Sequence, residues 1–401
     1  MNRNQFTVQT IRDLGEIESI REVWTTWQKT RDSNFEFFSG IVRSRGNCCS
    51  PHVLVLRRDA KPETLLAGFK HRAKFPIKIS SRTVLQPEVT ALEFTRGGLL
   101  GNASSQNCEA LVHAITTSLA EGDADLALWD QLDPQSHLYT HAIQRPGILG
   151  RDHCRKLNDH WFQSLPDGLE AFLLTLRHSQ RSKLRRKYKK FVTTFAGRIE
   201  IRCFQTTEEV GQAIREMEKI ARKSIKRRLG FGFFDTLQSR EQLLVEATHG
   251  WLKIFVLYID GVPVSFWKGT LYEHCLYADQ VGFDASWSEH SPGIFLFLNV
   301  IESLRDSDVN TLDFGTGCGQ FYDSFAKVRR SEARVHIYAP TLHALQLNLF
   351  YTLAHHATLL INRTSSLNWA RRAIWKARRS ALERAPPKPS SASAEPHNAI
   401  L

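Results

Sequence analysis

Residues 251–325 constrain the fold more than any other stretch of this 401-residue chain. Three runs rich in Val, Phe, Tyr and Trp come first, at 253–259, 262–270 and 274–283, each of strand length. Asp260-Gly261 separates the first two as a two-residue turn, which forms readily because Gly accepts positive φ. A loop, 284–290, leads to Ser291-Pro292-Gly293 and then to a run of helical period, 294–304. A short strand, 310–314, closes the stretch at a glycine-rich bend. Hairpin, third strand, helix and returning strand make one compact unit of α/β type. Its loop-to-helix junction is suited to hold phosphate.

The same order occurs earlier. A helical run at 15–40, a hairpin from 52–57 and 64–71, a helix at 108–119 and a buried strand at 124–132 repeat it. VLVLRRDAKPETLLAGF lines up with IFVLYIDGVPVSFWK, and LVHAITTSLAEGDADLALWDQL with FLNVIESLRDSDVNTLDFGTG. The expectation is an α/β (α+β) protein of two similar domains, 1–160 and 161–340. A basic helical extension, 341–385, and a Pro/Ser-rich disordered tail, 386–401, follow. Between the halves the spacing predicts an amphipathic helix over 172–191, a strand over 198–204 and a helix over 208–226.

The net charge of +12 is concentrated in three runs. Residues 177–190 hold eight Lys/Arg and no acid, 219–228 hold six and no acid, and 363–388 hold eight against Glu383. The rest of the chain is net acidic, so basicity belongs to particular surfaces. Seven cysteines without a C-x-x-C spacing speak against a disulfide framework and a zinc ribbon, and no metal is expected. The first twenty residues hold no apolar run of signal-peptide type. The stretch 342–361, the most apolar, is interrupted by Gln346, Asn348, His355 and His356. A cytoplasmic protein is the expectation.

The basic helix SKLRRKYKKF, the hairpin FVLYIDGVPVSF, the strand LYADQVGFD, the Ser-Pro-Gly helix start and LDFGTG before Tyr322 occur in that order. From about 168 to 340 this set resembles the GNAT superfamily, specifically the acetyltransferase domain of cellulose-biosynthesis-type proteins. The first half resembles the degenerate first domain of tandem members. The resemblance implies acyl-coenzyme A, acetyl-CoA in particular, as donor and an amine as acceptor. The acceptor class runs from small molecules to saccharides and peptides, including cell-envelope or polysaccharide precursors.

Pyrophosphate needs backbone N–H groups converging at a helix N-terminus. Ser291 suits a cap, Pro292 the first turn, and Gly293 a close approach. Since Pro292 has no N–H, Ser288, Glu289, His290, Gly293 and Ile294 are the candidate donors. Ser-Pro-Gly stands where better-known members of the superfamily carry Q/R-x-x-G-x-G/A. The resemblance also implies that the pantetheine pairs with the third strand, around Val281 and Gly282, where it parts from the next. Amine attack on a thioester needs a base and an acid. Asp279 and Asp313 are candidate bases, and Tyr322 matches the tyrosine that protonates the leaving thiolate. Arg185, Lys187, Arg222, Lys226 and Arg227 are candidates to line the approach of an anionic acceptor.

Three other readings stand beside this one. Residues 312–319, LDFGTGCG, fit the glycine pattern of S-adenosylmethionine methyltransferases, although no carboxylate ends the following strand. The basic segments, with Tyr188 and Phe191, suit an aminoacyl-tRNA-dependent transferase of related tandem architecture. Residues 367–385 mix Arg and Lys with Trp369 and Trp375, as peripheral membrane helices do.

Overall fold

The computed structural model describes residues 6–80, 82–154, 156–316, 325 and 328–363. Tyr322 and the segments 367–385 and 386–401 lie outside them. The described chain forms two compact units, one from the residues up to Asn158 together with 331–363, the other spanning Asp159–Arg330.

Unit 1 begins with strand β1 (Phe6–Ile11). The expected 15–40 helix is broken into Leu14–Glu18, Arg21–Trp27 and a 3₁₀ turn before helix α1 (Phe35–Ser44), which Asn34 caps through the N–H groups of Glu36 and Phe37. Strands β2 (Val53–Arg58) and β3 (Lys61–Lys74) form the expected hairpin. Strand β4 (Glu88–Gly101), helix α2 (Ser105–Ala120) and strand β5 (Leu126–Leu132) complete the first pass.

The chain then enters unit 2 through strand β6 (Lys156–Ser164), which spans the domain boundary expected from the sequence. Helices α3 (Gly168–Thr175) and α4 (His178–Thr194) replace the single helix expected over 172–191, with Leu176 extended between them. Strand β7 (Ile199–Phe204), helices α5 (Val210–Lys223) and α6 (Leu237–Thr248), and strands β8 (Leu252–Ile259), β9 (Val262–Tyr272) and β10 (Cys275–Phe283) follow. Helix α7 (Pro292–Ser303) leads to strand β11 (Thr311–Thr316). Strand β12 (Val328–Tyr338) and helix α8 (Leu342–Arg363) close the described chain. Residues 331–363, read from sequence as the end of the C-terminal domain and the start of its extension, belong to unit 1, where β12 pairs with β5.

The strand order is β1-β2-β3-β4-β5-β12 in unit 1 and β7-β8-β9-β10-β11-β6 in unit 2. In both, the fourth and fifth strands are parallel, bridged by one helix, and every other pair is antiparallel. The repeat read from sequence is therefore a repeat of topology, and each unit takes its last strand from the chain segment that follows the other unit's fifth. The hairpin turns repeat as well. Asp260 and Gly261 have φ of 51° and 74°, and Asp59 and Ala60 have 49° and 68°. Both turns twist with the strands they join.

In unit 2 the side chains alternate across the sheet, as a period of two requires. Ile254, Val256 and Phe266 pack against Ala213, Met217 and Ile220 of α5. Phe255, Leu257 and Trp267 pack on the other face with Leu296, Phe297 and Val300 of α7. The sheet is thus fixed from both sides, and what happens along β10 is decided by its own irregularity.

Candidate active site

β10 and β11 pair over only three residues, Cys275↔Thr311, Leu276↔Leu312 and Tyr277↔Asp313. Beyond Tyr277 the strands part, while β10 stays bonded to β9 as far as Phe283↔Ser265. The cause is local. Lys268 pairs with Gln280 and Gly269 with Ala278, so Asp279 is an extra residue, a β-bulge, and bulges bend their strand. Asp279 counts as exposed, yet its side chain is only 20% exposed, so the open part is its backbone.

That side chain turns into a buried ionic cluster. Lys268 Nζ donates to Asp279 Oδ2 at 2.7 Å, to Glu246 Oε1 at 2.8 Å and to Thr270 Oγ1 at 3.1 Å. Thr270 Oγ1 donates to Asp279 Oδ2 at 2.6 Å. Glu246, from α6, is fully buried, and Gln242 Nε2 donates to it at 3.1 Å. Two carboxylates therefore share one ammonium, and one of them lies at the point where the strands separate. Sequence reasoning found Asp279 but missed Lys268, Thr270 and Glu246. The only sequence signal for Lys268 is a cation at an inward position of an otherwise apolar strand.

Asp313 stands in a different environment. His160 Nε2 donates to its Oδ1 at 2.6 Å, and the Gly315 N–H donates to the same oxygen at 2.8 Å. Both side chains are buried, and the His160 ring stacks on Phe162 at 4.3 Å. Asp313 thereby holds β6 to β11 and shapes the bend at Gly315, whose φ is 68°. The neighbours of β11 also remove the methyltransferase reading. A nucleoside-binding glycine turn of that kind opens a parallel sheet, whereas β11 has antiparallel β6 on one side and a three-residue parallel contact on the other.

The loop after β10 is anchored by Asp284. Its Oδ1 accepts from the Ser286 N–H and Oγ, and its Oδ2 lies 3.2 Å from Lys223 Nζ. Ser288, Glu289 and His290 fall within a 3₁₀ helix, Ala285–His290, and the His290 ring packs edge-on against Phe195 at 4.9 Å. The expected cap at Ser291 is not made. Ser291 has φ 56°, and its hydroxyl accepts from Lys187 Nζ at 3.1 Å. Ile294 is corrected too, because its N–H is taken by the Ser291 carbonyl at 3.0 Å. Gly293 keeps a first-turn N–H that the helix ladder does not use. A Cβ there would meet only ordinary contacts, Phe283 Cδ1 at 3.6 Å being nearest. Gly282, by contrast, is required by packing, since a Cβ would lie 2.4 Å from Phe266 Cε1. Val281 packs half-buried opposite Trp267.

The equivalent helix of unit 1 begins otherwise. Ser104 Oγ accepts from the Asn107 N–H at 3.3 Å, an ordinary cap that occupies the helix end. Of these two helices, that of unit 2 pairs an uncapped start with a lysine. Residues 178–322 match a family model described as an acetyltransferase (GNAT) domain. This match covers 145 of the 401 residues, all within unit 2, and supports an acyltransferase of GNAT type. Among solved structures, FemX is matched with 11% identity over 80% of this chain and 98% of that one, at a TM-score of 0.52. A conserved protein of unknown function from Bacteroides thetaiotaomicron is matched with 11% identity over 83% and 100%, at 0.51. A tandem GNAT protein from the clavulanic acid biosynthesis pathway is matched with 8% identity over 84% and 99%, at 0.48. At such identities the first two likenesses are of fold. No curated protein matches the sequence significantly.

Within the GNAT domain the predicted basic residues separate. Lys187 reaches the start of α7 because Phe191 stacks on Phe295 at 4.2 Å, and Lys187 and Ser291 each lie one turn before a member of that stack. Burial first, then the charges of Lys183 and Arg186, lower its pKa. Arg185 pairs with Glu170 on the surface, and Arg222 pairs with Glu218 one turn away. Arg227 also pairs with Glu218, donates to the Phe233 carbonyl and stacks over Phe234 at 3.6 Å. Lys226 lies within the short helix Ile225–Arg228. Arg222 thus braces α5 internally, and Arg227 holds α5 to the segment that follows it.

Proposed function

We propose that the GNAT domain transfers an acyl group, acetyl first among them, from acyl-CoA to an amine. The observation that carries this reading is the parting of β10 from β11 at the Asp279 bulge, beside the uncapped start of α7. An open strand edge offers alternating N–H and C=O groups, which complement the amides of pantetheine as an added strand would. The Gly293 N–H and the Lys187 ammonium suit phosphate at the other end. Their chemistry therefore fits coenzyme A.

Asp279 accepts the proton of the attacking amine, so that the C–N bond forms as the C–S bond breaks and the thiolate leaves to be protonated. Lys268 and Thr270 hold the carboxylate in place for this. Asp313, with His160 and Gly315 on one oxygen, sets the shape of β11 instead. Of the acceptors, a saccharide or cell-envelope precursor of the cellulose-biosynthesis type is the finer proposal, and the cytoplasm, where acyl-CoA is at hand, the proposed location. A second reading, tRNA-dependent transfer, is favoured by the outward-facing Lys183, Arg186, Lys189 and Lys190 of α4.

A thermal-shift screen with acetyl-CoA, longer acyl-CoAs, S-adenosylmethionine and tRNA decides among these. Acyl-CoA at a hundred times its dissociation constant should stabilise unit 2 by about 2.7 kcal/mol. No shift with any acyl-CoA, together with salt-sensitive tRNA binding, would transfer the case to the second reading. Lys187→Met should weaken acyl-CoA binding about five-fold and leave the melting temperature unchanged. Equal affinity would remove Lys187 from the phosphate site.

A further inference from the structure

Helix α8 presents an apolar stripe outward. Leu342, Leu349, Phe350, Leu353 and Leu360 recur at steps that keep one helix face, and each is at least half exposed. Its other face is conventional, with Ala344, Leu347 and Ala354 in the core of unit 1. A face of this composition is normally covered.

Its surroundings are cationic. Helix α8 contains no Asp or Glu, and residues 64–87 contain none either. From that second stretch the hairpin Ile77–Ile79/Arg82–Leu85 docks alongside α8, with the Ser80 N–H donating to Thr358 Oγ1 at 2.8 Å. It adds the exposed cations Lys78 and Arg82 and the exposed apolar Val84 and Leu85. Beyond Arg363 the sequence supplies five more Lys/Arg before its first acid, Glu383.

We propose that this face of unit 1 docks on an anionic membrane surface, with α8 lying in the plane of the lipid headgroups. An apolar stripe flanked by cations suits such a surface, because the leucines enter the acyl boundary while Lys and Arg meet the headgroup phosphates. A second copy of the chain fits poorly, since it would bring two cationic faces together. The helix lies on the bilayer and does not span it, for no described helix is long and apolar enough to cross a membrane. The proposal does not depend on acyl transfer.

Sedimentation of the full chain with vesicles tests it, using phosphatidylcholine alone and phosphatidylcholine mixed with phosphatidylglycerol. The protein should pellet with the anionic vesicles at low salt and stay in solution with the neutral ones. Leu349→Glu combined with Leu353→Glu should lower binding at least ten-fold, with an unchanged melting temperature and unchanged acetyl-CoA response. Lys78→Glu combined with Arg82→Glu should lower it roughly five-fold for each cation lost. No binding to anionic vesicles, or equal binding to both kinds, overturns the proposal. So does a dimer in sedimentation velocity that the two leucine substitutions dissociate. Loss of binding on removing 364–401, with the leucine variants still binding, would place the contact in the tail and overturn it equally.

Discussion

Lys268→Met is expected to destabilise unit 2 by about 3–5 kcal/mol, because it leaves a fully buried carboxylate without its cation. Glu246 has no exposed side-chain surface and Lys268 only 5%, so water cannot take over the role of the ammonium. Methionine keeps much of the stem and its packing, which confines the change to the charge. Glu246→Gln added to Lys268→Met should recover a large part of the loss, since the uncompensated charge goes with it. Amide exchange along β9 and β10 reads the effect in the unit concerned, which a single melting temperature for two units does not. A loss below about 1 kcal/mol in Lys268→Met would mean that the cation is not what makes the two carboxylates tolerable. The contrast lies on the surface, where Arg198–Asp260 and Arg202–Glu200 are half exposed and water screens their charges, so that loss of either pair should change stability little.

The same cluster shows how far the sequence could be read. Apolar runs of strand length at 253–259 and 262–270, with Asp260-Gly261 between them, made the hairpin legible. The Ser-Pro-Gly junction did the same for the start of α7, and because the order of hairpin, helix and strand recurs in the first half, the paired topology could be read as well. What was not legible depends on partners far away in sequence. KLNDHWFQS does not read as a strand because its buried positions include His160 and Gln163, polar residues that become interior only once β11 supplies Asp313. Helix α6 escaped notice because its inward face includes Glu246, a residue that takes its place only opposite Lys268. Ser291 was misjudged for a simpler reason. A serine before Pro-Gly is an ordinary cap by composition, and only the left-handed backbone together with Lys187, more than a hundred positions away, gives its hydroxyl other work. Local rules carried the elements; the chemistry sits where those rules were broken.

Asp279→Asn is the complementary test, with its largest effect on turnover. If Asp279 takes the proton of the amine, removing its basicity should lower kcat by about two to four orders of magnitude. Asparagine still accepts from Thr270 and fills the same volume, so the bulge should persist and the acyl-CoA affinity should stay within a few-fold. Lys268 keeps Glu246 as its partner, so stability should fall far less than in Lys268→Met. Asp313→Asn should show the reverse pattern, with weakened stability and a smaller change in kcat, because His160 and the Gly315 N–H both lean on its Oδ1. Release of free CoA, measured with whichever amine the screen identifies, separates the two, and the acidic limb of the pH–rate profile should disappear in Asp279→Asn alone. Unchanged turnover in that variant, with acyl-CoA still bound, would remove Asp279 from the chemistry and leave the bulge as a device for opening the strand edge.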